Sequence, residues 1–241
     1  SPFDETAVDL LEELNCPFYK VASFEMTDLS LIKKIASTKK KMIISTGTSS
    51  LEEIEKVFYT AKNNGAAEVI LLYCVSNYPS VMSDFNINNI KILKNKFNCR
   101  VGLSDHSKDH RVGMMAISAG AEIIEKHIAL QYQKKGLDID FSLKGKEIKK
   151  FKNMMNETFN ALGKDTFHRK KSEEESKRFR RSIFTVDNIK KGEKFTKKNI
   201  RRVRPGYGLN AMHYDQLINK KSPVSIKKNQ PLTLSMVKKI I

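Results

Sequence analysis

The sequence contains no apolar run long enough to cross a lipid bilayer and no stretch typical of a secretory signal peptide. It therefore predicts no membrane partner and a cytoplasmic location. Cysteine is also scarce. Its three residues, Cys16, Cys74 and Cys99, are an odd number without C-x-x-C spacing. They favour buried thiols in a reducing compartment over a disulfide framework or a zinc site.

Acidic residues are few compared with basic ones. The chain has 27 Asp and Glu against 44 Lys and Arg, which gives a formal net charge of +17 and raises the question of a nucleic-acid partner. The excess is concentrated between Lys164 and Arg204, with 16 basic and 6 acidic residues. Much of it falls at predicted turns, and no aromatic residues alternate with it as a base-stacking surface requires. We therefore expect a solvated linker and lysine-rich surface, with no nucleic-acid partner and a modest attraction for anionic substrates.

Short β-branched runs alternate with amphipathic stretches from Phe18 to about Ala129. The predicted strands are Phe18–Ser23, Met42–Ser45, Val69–Val75, Val101–Leu103 and Ile123–Ile124, and the predicted helices between them are Leu29–Ala36, Leu51–Lys62, Ile87–Lys96 and Val112–Ala119. Ser49 or Ser50 is placed to cap the helix that starts at Leu51. The strands start roughly 22 to 32 residues apart, which is the rhythm of a parallel (β/α) barrel.

A closed barrel of this kind has eight strands, and five are visible. Asp4–Leu14 has the pattern of a helix that would follow a strand ending at Ser1, and the chain does not begin with Met. We therefore expect the first strands to precede Ser1 and the chain alone to be incomplete. The predicted fold is an α/β (β/α)8 TIM barrel lacking its first strands.

The pattern changes after the predicted helix Glu147–Leu162, which Gly163 ends. Residues 1–163 are assigned to the partial barrel and residues 164–180 to a charged linker with some helical content. Residues 181–241 show short strands and tight turns, with strands expected at Ser182–Val186, Asn199–Arg202 and Val224–Ile226. This segment is predicted to be a small β-rich domain.

In a (β/α) barrel, functional side chains collect at the carboxyl ends of the strands. Lys20 with nearby Ser and Thr hydroxyls would suit a small molecule bearing a phosphate and a carboxylate. Two histidines at the ends of adjacent strands, His106 and His127, could bind one divalent metal and leave positions open for water and substrate. Glu25 could act as a general acid or base or bind a sugar hydroxyl. Taken singly, these signals are weak, because a lone lysine at a strand end is often an ion-pair partner and His106 alone would more often be a hydrogen-bonded polar residue than a ligand.

Together the strand-end motifs resemble those of the sialic acid (nonulosonic acid) synthase family. They are KVASFE at Lys20–Glu25, ISTG at Ile44–Gly47, GLSDHS at Gly102–Ser107 and IEKH at Ile124–His127. GLDIDFSL at Gly136–Leu143 resembles the sugar-binding loop of the family, and RPGYG at Arg204–Gly208 its antifreeze-like (SAF) domain. The motifs occur in the family's order along the whole chain.

The resemblance implies an enzyme, a transferase that joins phosphoenolpyruvate to an N-acetylated amino sugar for surface glycan biosynthesis. It implies a divalent metal, Mn²⁺ or Mg²⁺, at His106 and His127, and a domain-swapped homodimer. Phosphoenolpyruvate would contact Ser1, Lys20, Ser23, Ser45, Ser76 and Ser104. The acceptor sugar would contact Glu25, Tyr78 and Asp138 and, from the other subunit, Arg204. Lys20 and Glu25 are the expected catalytic residues. Some members carry Asn where Ser76 stands.

Two segments bear on the acceptor sugar. Ala22–Glu25 and Asp140–Leu143 resemble pseudaminic acid synthases more than the neuraminic or legionaminic acid enzymes, so we expect pseudaminic acid as the product. N-acetylneuraminate or legionaminate synthesis is the alternative. A further alternative is an inactive truncated fragment that serves as a dimerising or sugar-binding module, and a basic RNA-associated protein is the least favoured.

Overall fold

The computed structural model describes all residues, Ser1–Ile241. The chain divides into two compact units, Ser1–Gly163 and Lys164–Ile241. The helices of the first unit are α1 (Glu5–Glu13), α2 (Leu29–Ser37), α3 (Leu51–Asn63), α4 (Asn88–Phe97), α5 (Arg111–Ser118) and α6 (Lys146–Leu162). Its strands are β1 (Phe18–Val21), β2 (Lys41–Ser45), β3 (Glu68–Cys74), β4 (Val101–Asp105), β5 (Ile123–Lys126), β6 (Ile128–Ala129) and β7 (Leu143–Lys144).

The main sheet of this unit is parallel and its five strands lie in chain order, β1-β2-β3-β4-β5. This is the order of successive strands in a (β/α) barrel, where each helix returns the chain to the start of the next strand. All five predicted strands and the helices between them are confirmed, with ends shifted by a few residues. Strand order places every carboxyl end at one edge of the sheet, and that edge carries the polar residues.

The core of the first unit lies between the sheet and the helices. β3 is buried at every position after Glu68, and the helices contribute one apolar face each. Fully buried side chains of this core include Val21, Ile32, Met42, Ile44, Phe58, Leu71, Val101 and Leu103. Burial of this apolar surface is the main stabilising term of the fold and fixes the strands on which the polar edge is built.

Helix α3 shows how local sequence sets an element's start. The hydroxyl oxygen of Ser50 accepts a hydrogen bond from the amide of Glu53 (3.2 Å), and the Glu53 carboxylate accepts one from the Ser50 amide (2.7 Å). These two bonds form a capping box, which satisfies amide groups that the helix leaves free at its start. Of the two serines predicted as caps, Ser50 is the one used.

The second unit contains β8 (Ser182–Thr185), β9 (Ile200–Val203), α7 (Tyr214–Leu217) and α8 (Leu234–Val237). Two short 3₁₀ helices, Lys171–Glu173 and Glu175–Phe179, lie in the charged segment before β8. β8 and β9 pair antiparallel, and a separate apolar core forms around Ile183, Phe195 and Leu217.

One predicted strand of the second unit is wrong. Val224–Ile226 forms no strand, and its pairing is limited to a single bridge in which Ile226 exchanges both backbone hydrogen bonds with Ile189. Pro223, just before this segment, has no amide to extend a ladder. No helix in the structure is long and apolar enough to cross a membrane.

Candidate active site

The carboxyl ends of β1 to β5 and the loops after them bring two groups of side chains together. The first group, the hydroxyl side, consists of Lys20, Ser23, Ser45, Ser76 and Ser104. The second group, the imidazole side, consists of Tyr78, His106, His127, Asp138 and Phe141. The two groups meet at Cys74, whose sulfur lies 3.4 Å from the Ser23 hydroxyl and 3.9 Å from Nδ1 of His106.

The centre of the hydroxyl side is closely packed around Gly47. The amide of Gly47 donates a hydrogen bond to the Ser23 hydroxyl (3.1 Å). A methyl group at Gly47 would lie 2.1 Å from the Ser76 hydroxyl oxygen and 2.8 Å from that of Ser23. The φ angle of Gly47 is not positive, so its need for glycine arises from space and not from backbone conformation. The hydroxyls of Ser23 and Ser76 and the amide of Gly47 thus line a small space, the cradle. Any residue larger than glycine at position 47 would fill it.

Lys20 lies beside this cradle and pairs with Glu125. The distance from its Nζ to the Glu125 carboxylate is 3.6 Å, and the same carboxylate oxygen accepts a hydrogen bond from the Ser104 hydroxyl (2.7 Å). Nζ also donates to the carbonyl of Val21 (2.9 Å). Burial lowers the pKa of Lys20, and the Glu125 carboxylate partly offsets this. The charged ammonium group is therefore only partly compensated by protein, and the charge of an anionic ligand would offset the remaining cost of its burial.

Three polar side-chain atoms at this edge have no protein partner. The hydroxyls of Ser45 and Ser80 and one carboxylate oxygen of Glu25, Oε2, are buried without a hydrogen bond. Ser80 lies beside His106, because its amide donates to the His106 carbonyl (3.2 Å). Buried polar atoms are usually hydrogen-bonded, so Ser45 and Glu25 point to a ligand that supplies the missing partners. A phosphate or carboxylate would accept from Ser45, and a sugar hydroxyl would donate to Glu25.

The imidazole side is built on His106, which is buried. Its Nδ1 lies 3.0 Å from the carbonyl oxygen of Val75, which orients the ring and leaves Nε2 available as a ligand. Burial opposes protonation of this ring, but hydrogen bonds with Cys74 and the Val75 carbonyl outweigh it, so the pKa of His106 is raised. Burial also raises the pKa of the Cys74 thiol, but hydrogen bonds with His106, Ser23 and Ser76 reverse the shift and lower it.

His127 stands next to His106, with 5.2 Å between the ring centroids. Burial lowers the pKa of His127, and the neighbouring His106 adds to this. Asp138 places a carboxylate oxygen 3.5 Å from Nδ1 of His127. Tyr78 packs on His106 (4.2 Å between centroids), and Phe141 packs on His127 (5.1 Å). The two imidazoles are therefore held by aromatic packing, and the Asp138 carboxylate lies beside one of them.

This donor set fits a divalent metal in part. No three His, Cys, Asp or Glu side chains are arranged to surround an ion by themselves. The two imidazoles and the nearby Asp138 nevertheless match the ligand types of a catalytic site, in which water and substrate complete the coordination. The residues present are compatible with an ion bound together with substrate.

Three predicted site residues belong to neither group. Glu25 is close enough to Lys20 for its charge to oppose the lowering of the lysine's pKa, whereas Ser1 and Arg204 lie apart from both groups. Ser1 donates a hydrogen bond from its hydroxyl to the carbonyl of Lys20 (2.9 Å), so it sits beside β1 on an exposed surface. Arg204 belongs to the second unit, where it follows β9 and is exposed. The turn after it is fixed because Ser182 donates to the carbonyl of Pro205 (2.7 Å) and the amide of Gly206 donates to that of Arg178 (2.9 Å).

Sequence reasoning missed several residues of this edge. Glu125 lies in the IEKH motif at Ile124–His127. Its role as partner of Lys20 and Ser104 depends on the alignment of β4 with β5, which the motif does not reveal. Cys74 was predicted to be one of three buried thiols. It is buried, whereas Cys16 and Cys99 are only partly so, and it touches both sides of the site. Phe141 lies in the motif Gly136–Leu143, but its packing on His127 cannot be seen from that motif.

Both units of the chain are similar to known protein families. The NeuB family profile matches residues 1–167, and the SAF domain profile matches residues 180–238. Pseudaminic acid synthase of Campylobacter jejuni is 37% identical over 227 residues, which cover 94% of this chain and 66% of that protein. N,N'-diacetyllegionaminic acid synthase of the same species is 35% identical over 233 residues, covering 95% of this chain and 70% of that protein.

A solved structure gives the same result. N-acetylneuraminic acid (sialic acid) synthetase of Leptospira borgpetersenii is 34% identical, with a TM-score of 0.69, over 73% of this chain and 61% of that one. The chain spans about two thirds of the length of the curated relatives that it matches. The predicted family and fold class are confirmed: the chain belongs to the NeuB family, with a SAF domain after its barrel unit.

Proposed function

We propose that this protein is a nonulosonic acid synthase that condenses phosphoenolpyruvate with an N-acetylated amino sugar, releases phosphate and forms pseudaminic acid. The observation that carries the proposal is the meeting of the hydroxyl side with the imidazole side at one edge of a parallel sheet. An anion-binding cradle and a pair of metal-type ligands are what this reaction requires of a protein.

The hydroxyl side would bind phosphoenolpyruvate. Its small hydroxyls and the Lys20 ammonium group offer donors to a phosphate and a carboxylate together, and the unpaired hydroxyl of Ser45 is free to donate. Ser1 would contribute from the neighbouring surface. Because Lys20 is partly desolvated, its attraction for an anion is stronger than that of a lysine in water.

The imidazole side, together with Glu25, would receive the acceptor sugar. Glu25, with its unpaired oxygen, and Asp138 would accept hydrogen bonds from sugar hydroxyls, and the exposed Tyr78 ring offers a surface for the sugar. We propose that His106 and His127 hold a divalent ion, Mn²⁺ or Mg²⁺. When bound, such an ion supplies Lewis acidity toward the aldehyde of the open-chain sugar.

The proposed reaction forms one carbon–carbon bond and replaces the phosphate oxygen on C2 by an oxygen from water. C3 of phosphoenolpyruvate attacks the aldehyde carbon, and the aldehyde oxygen becomes a hydroxyl by gaining a proton. Water adds to C2 and the bond between C2 and the phosphate oxygen breaks. The water oxygen remains as the C2 carbonyl, and its two protons balance the one taken up by the new hydroxyl and one carried away with phosphate. Glu25 would exchange a proton with the acceptor, and Lys20 would stay bound to the anionic substrate.

The acceptor is proposed from the sequence motifs and from relatives. Ala22–Glu25 and Asp140–Leu143 resemble pseudaminic acid synthases, and a relative of that name is 37% identical. The legionaminic acid synthase at 35% identity is close enough to make its acceptor the main competitor.

An assay of the full-length protein with Mn²⁺ and phosphoenolpyruvate separates these acceptors. The sugars that give pseudaminic, legionaminic and neuraminic acid are supplied in turn, and phosphate release and product mass are measured. We expect the highest kcat/KM with the pseudaminic acid precursor. Preference for another of the three would correct the acceptor alone, and no phosphate from any would refute the synthase. Lys20→Met should abolish turnover, whereas the exposed Lys33→Met serves as the matched control.

We also propose a homodimer in which Arg204 of one subunit serves the site of the other, as the family resemblance implies. Arg204→Ala should then raise KM for the sugar and leave the fold intact. At a sugar concentration well below the raised KM, a mixture of Arg204→Ala with His106→Ala should be more active than either variant alone, because hybrid dimers contain one site with both groups. If mixed dimers form without this gain in activity, Arg204 does not act across subunits.

A further inference from the structure

The barrel unit contains a buried ion pair that the proposed reaction does not use. Nζ of Lys126 lies 2.8 Å from Oδ2 of Asp105, and their side chains are 5% and 0% exposed. Every other ion pair in the protein has side chains that are more exposed. Removing two charges from water is costly, and buried pairs are often no more stabilising than apolar residues of similar size. A stability role alone is therefore a weak explanation for this pair.

The pair occupies a defined place in the sheet. Asp105 and Lys126 are the last residues of β4 and β5, and they lie directly opposite each other in the strand register. The residue after Asp105 is His106 and the residue after Lys126 is His127. The ion pair thus joins the two strands one residue before each imidazole.

The same charges also hold the backbone around His106. Oδ1 of Asp105 accepts a hydrogen bond from the amide of Ser107 (2.8 Å), and Nζ of Lys126 donates one to the Ser107 carbonyl. Both backbone polar groups of Ser107 are therefore bound to the pair. His106 is fixed on both sides, because Asp105 precedes it and Ser107 follows it.

We propose that the Asp105–Lys126 ion pair is a positioning device that sets the separation of His106 and His127 for a shared divalent ion. The proposal rests on the metal pair proposed above. Asp105 and Lys126 touch neither ion nor substrate and act through the backbone that carries the two rings. Groups that orient metal ligands typically affect metal affinity by about 10-fold to 100-fold.

The test compares Mn²⁺ binding with stability in the full-length protein. The variants are Lys126→Met, Asp105→Asn and the double variant Asp105→Asn with Lys126→Met. Mn²⁺ binding in the presence of saturating phosphoenolpyruvate is followed by the electron paramagnetic resonance signal of the free ion, and stability by the midpoint of urea unfolding. The exposed pair Asp9–Lys34 (2.6 Å) provides a matched control, altered in the same way to Asp9→Asn with Lys34→Met.

We expect Lys126→Met to lower the urea midpoint, because Asp105 is left buried without a partner. The double variant should recover much of that midpoint, since no uncompensated charge remains. Its dissociation constant for Mn²⁺ should nevertheless stay about 10-fold or more above that of the wild type. The Asp9–Lys34 control should change neither quantity.

A folded double variant that binds Mn²⁺ as tightly as the wild type would overturn the positioning role and leave the metal pair standing. Absence of Mn²⁺ binding by the wild type would overturn the metal pair and the inference with it. If the double variant fails to fold, Asp105→Asn decides. Its amide oxygen can still accept from Ser107, so the fold is expected to survive with Mn²⁺ bound about threefold or more weakly. Unchanged binding in that variant also overturns the inference.

Discussion

The hydroxyl side and the imidazole side of the candidate site are held in different ways. The hydroxyl side is formed by residues at or just after strand ends, and Ser23, Gly47, Cys74 and Ser76 touch one another. The imidazole side depends on loops, because Tyr78 follows β3 by four residues and Asp138 lies twelve residues after β5. Its rings are joined by aromatic packing at centroid distances of 4.2 to 6.3 Å. One side is a rigid cradle and the other is assembled by packing between segments.

Because of this difference, we expect the two sides to respond differently to amino-acid substitutions. A cradle with no spare space is sensitive to added volume, because close-packed atoms have no room to move. The imidazole side, whose two histidines are proposed metal ligands, is sensitive to the loss of one ligand, because the remaining side chains cannot replace it. Substitutions that add one methyl group or delete one ring therefore separate the two sides.

The largest effect is expected from loss of an imidazole. His106→Ala should lower kcat by about 10²-fold to 10³-fold, the effect typical of removing one group that stabilises the transition state. It should also abolish Mn²⁺ binding measured by calorimetry, whereas binding of phosphoenolpyruvate should change little. His110→Ala is the matched control, because His110 packs on Phe151 at the start of α5, away from the two rings. Equal losses in both variants would remove the distinction between the two sides.

A smaller effect is expected from filling the cradle. Gly47→Ala adds a methyl group where only 2.1 Å separates it from the Ser76 hydroxyl, and overpacking costs about 1–3 kcal/mol. KM for phosphoenolpyruvate should rise about 10-fold or more, with Mn²⁺ affinity unchanged.

Gly113→Ala is the control for this substitution. Its added methyl group would meet the side chains of Met155 (2.9 Å) and Phe151 (3.1 Å) in the packing of α5 on α6, not a substrate site. It should leave KM near the wild-type value. A Gly47→Ala enzyme with unaltered KM for phosphoenolpyruvate would show that the hydroxyl side does not bind that substrate.

The smallest effect is expected from loss of the capping box of α3. Ser50→Ala removes a hydrogen bond at the start of the helix that follows the cradle and should lower the free energy of unfolding by about 1 kcal/mol. Both KM values should stay unchanged, because the cradle is held by strand ends. Urea unfolding measures the loss, and Ser118→Ala, whose exposed hydroxyl donates within α5, should change stability less. An altered KM would mean that α3 helps to shape the cradle.

Much of the fold could be predicted from local patterns. Alternation of β-branched runs with amphipathic helices indicated five parallel strands, and all five are present. The strand-end motifs indicated which residues share an edge, because parallel strands place their carboxyl ends together. Val224–Ile226 was assigned wrongly, since a short apolar run does not reveal whether a partner strand can extend along it.

Residue types and their spacing along the chain determined the parallel sheet, the cap of α3 and the presence of Lys20, the serines and the two histidines at one edge. Only the tertiary structure decided their partners. The pairing of Glu125 with Lys20, of Asp105 with Lys126 and of Tyr78 with His106 depends on strand register and loop path, which bring together residues far apart in the chain. Local sequence sets which element forms, whereas the distances between side chains are set by how the elements pack.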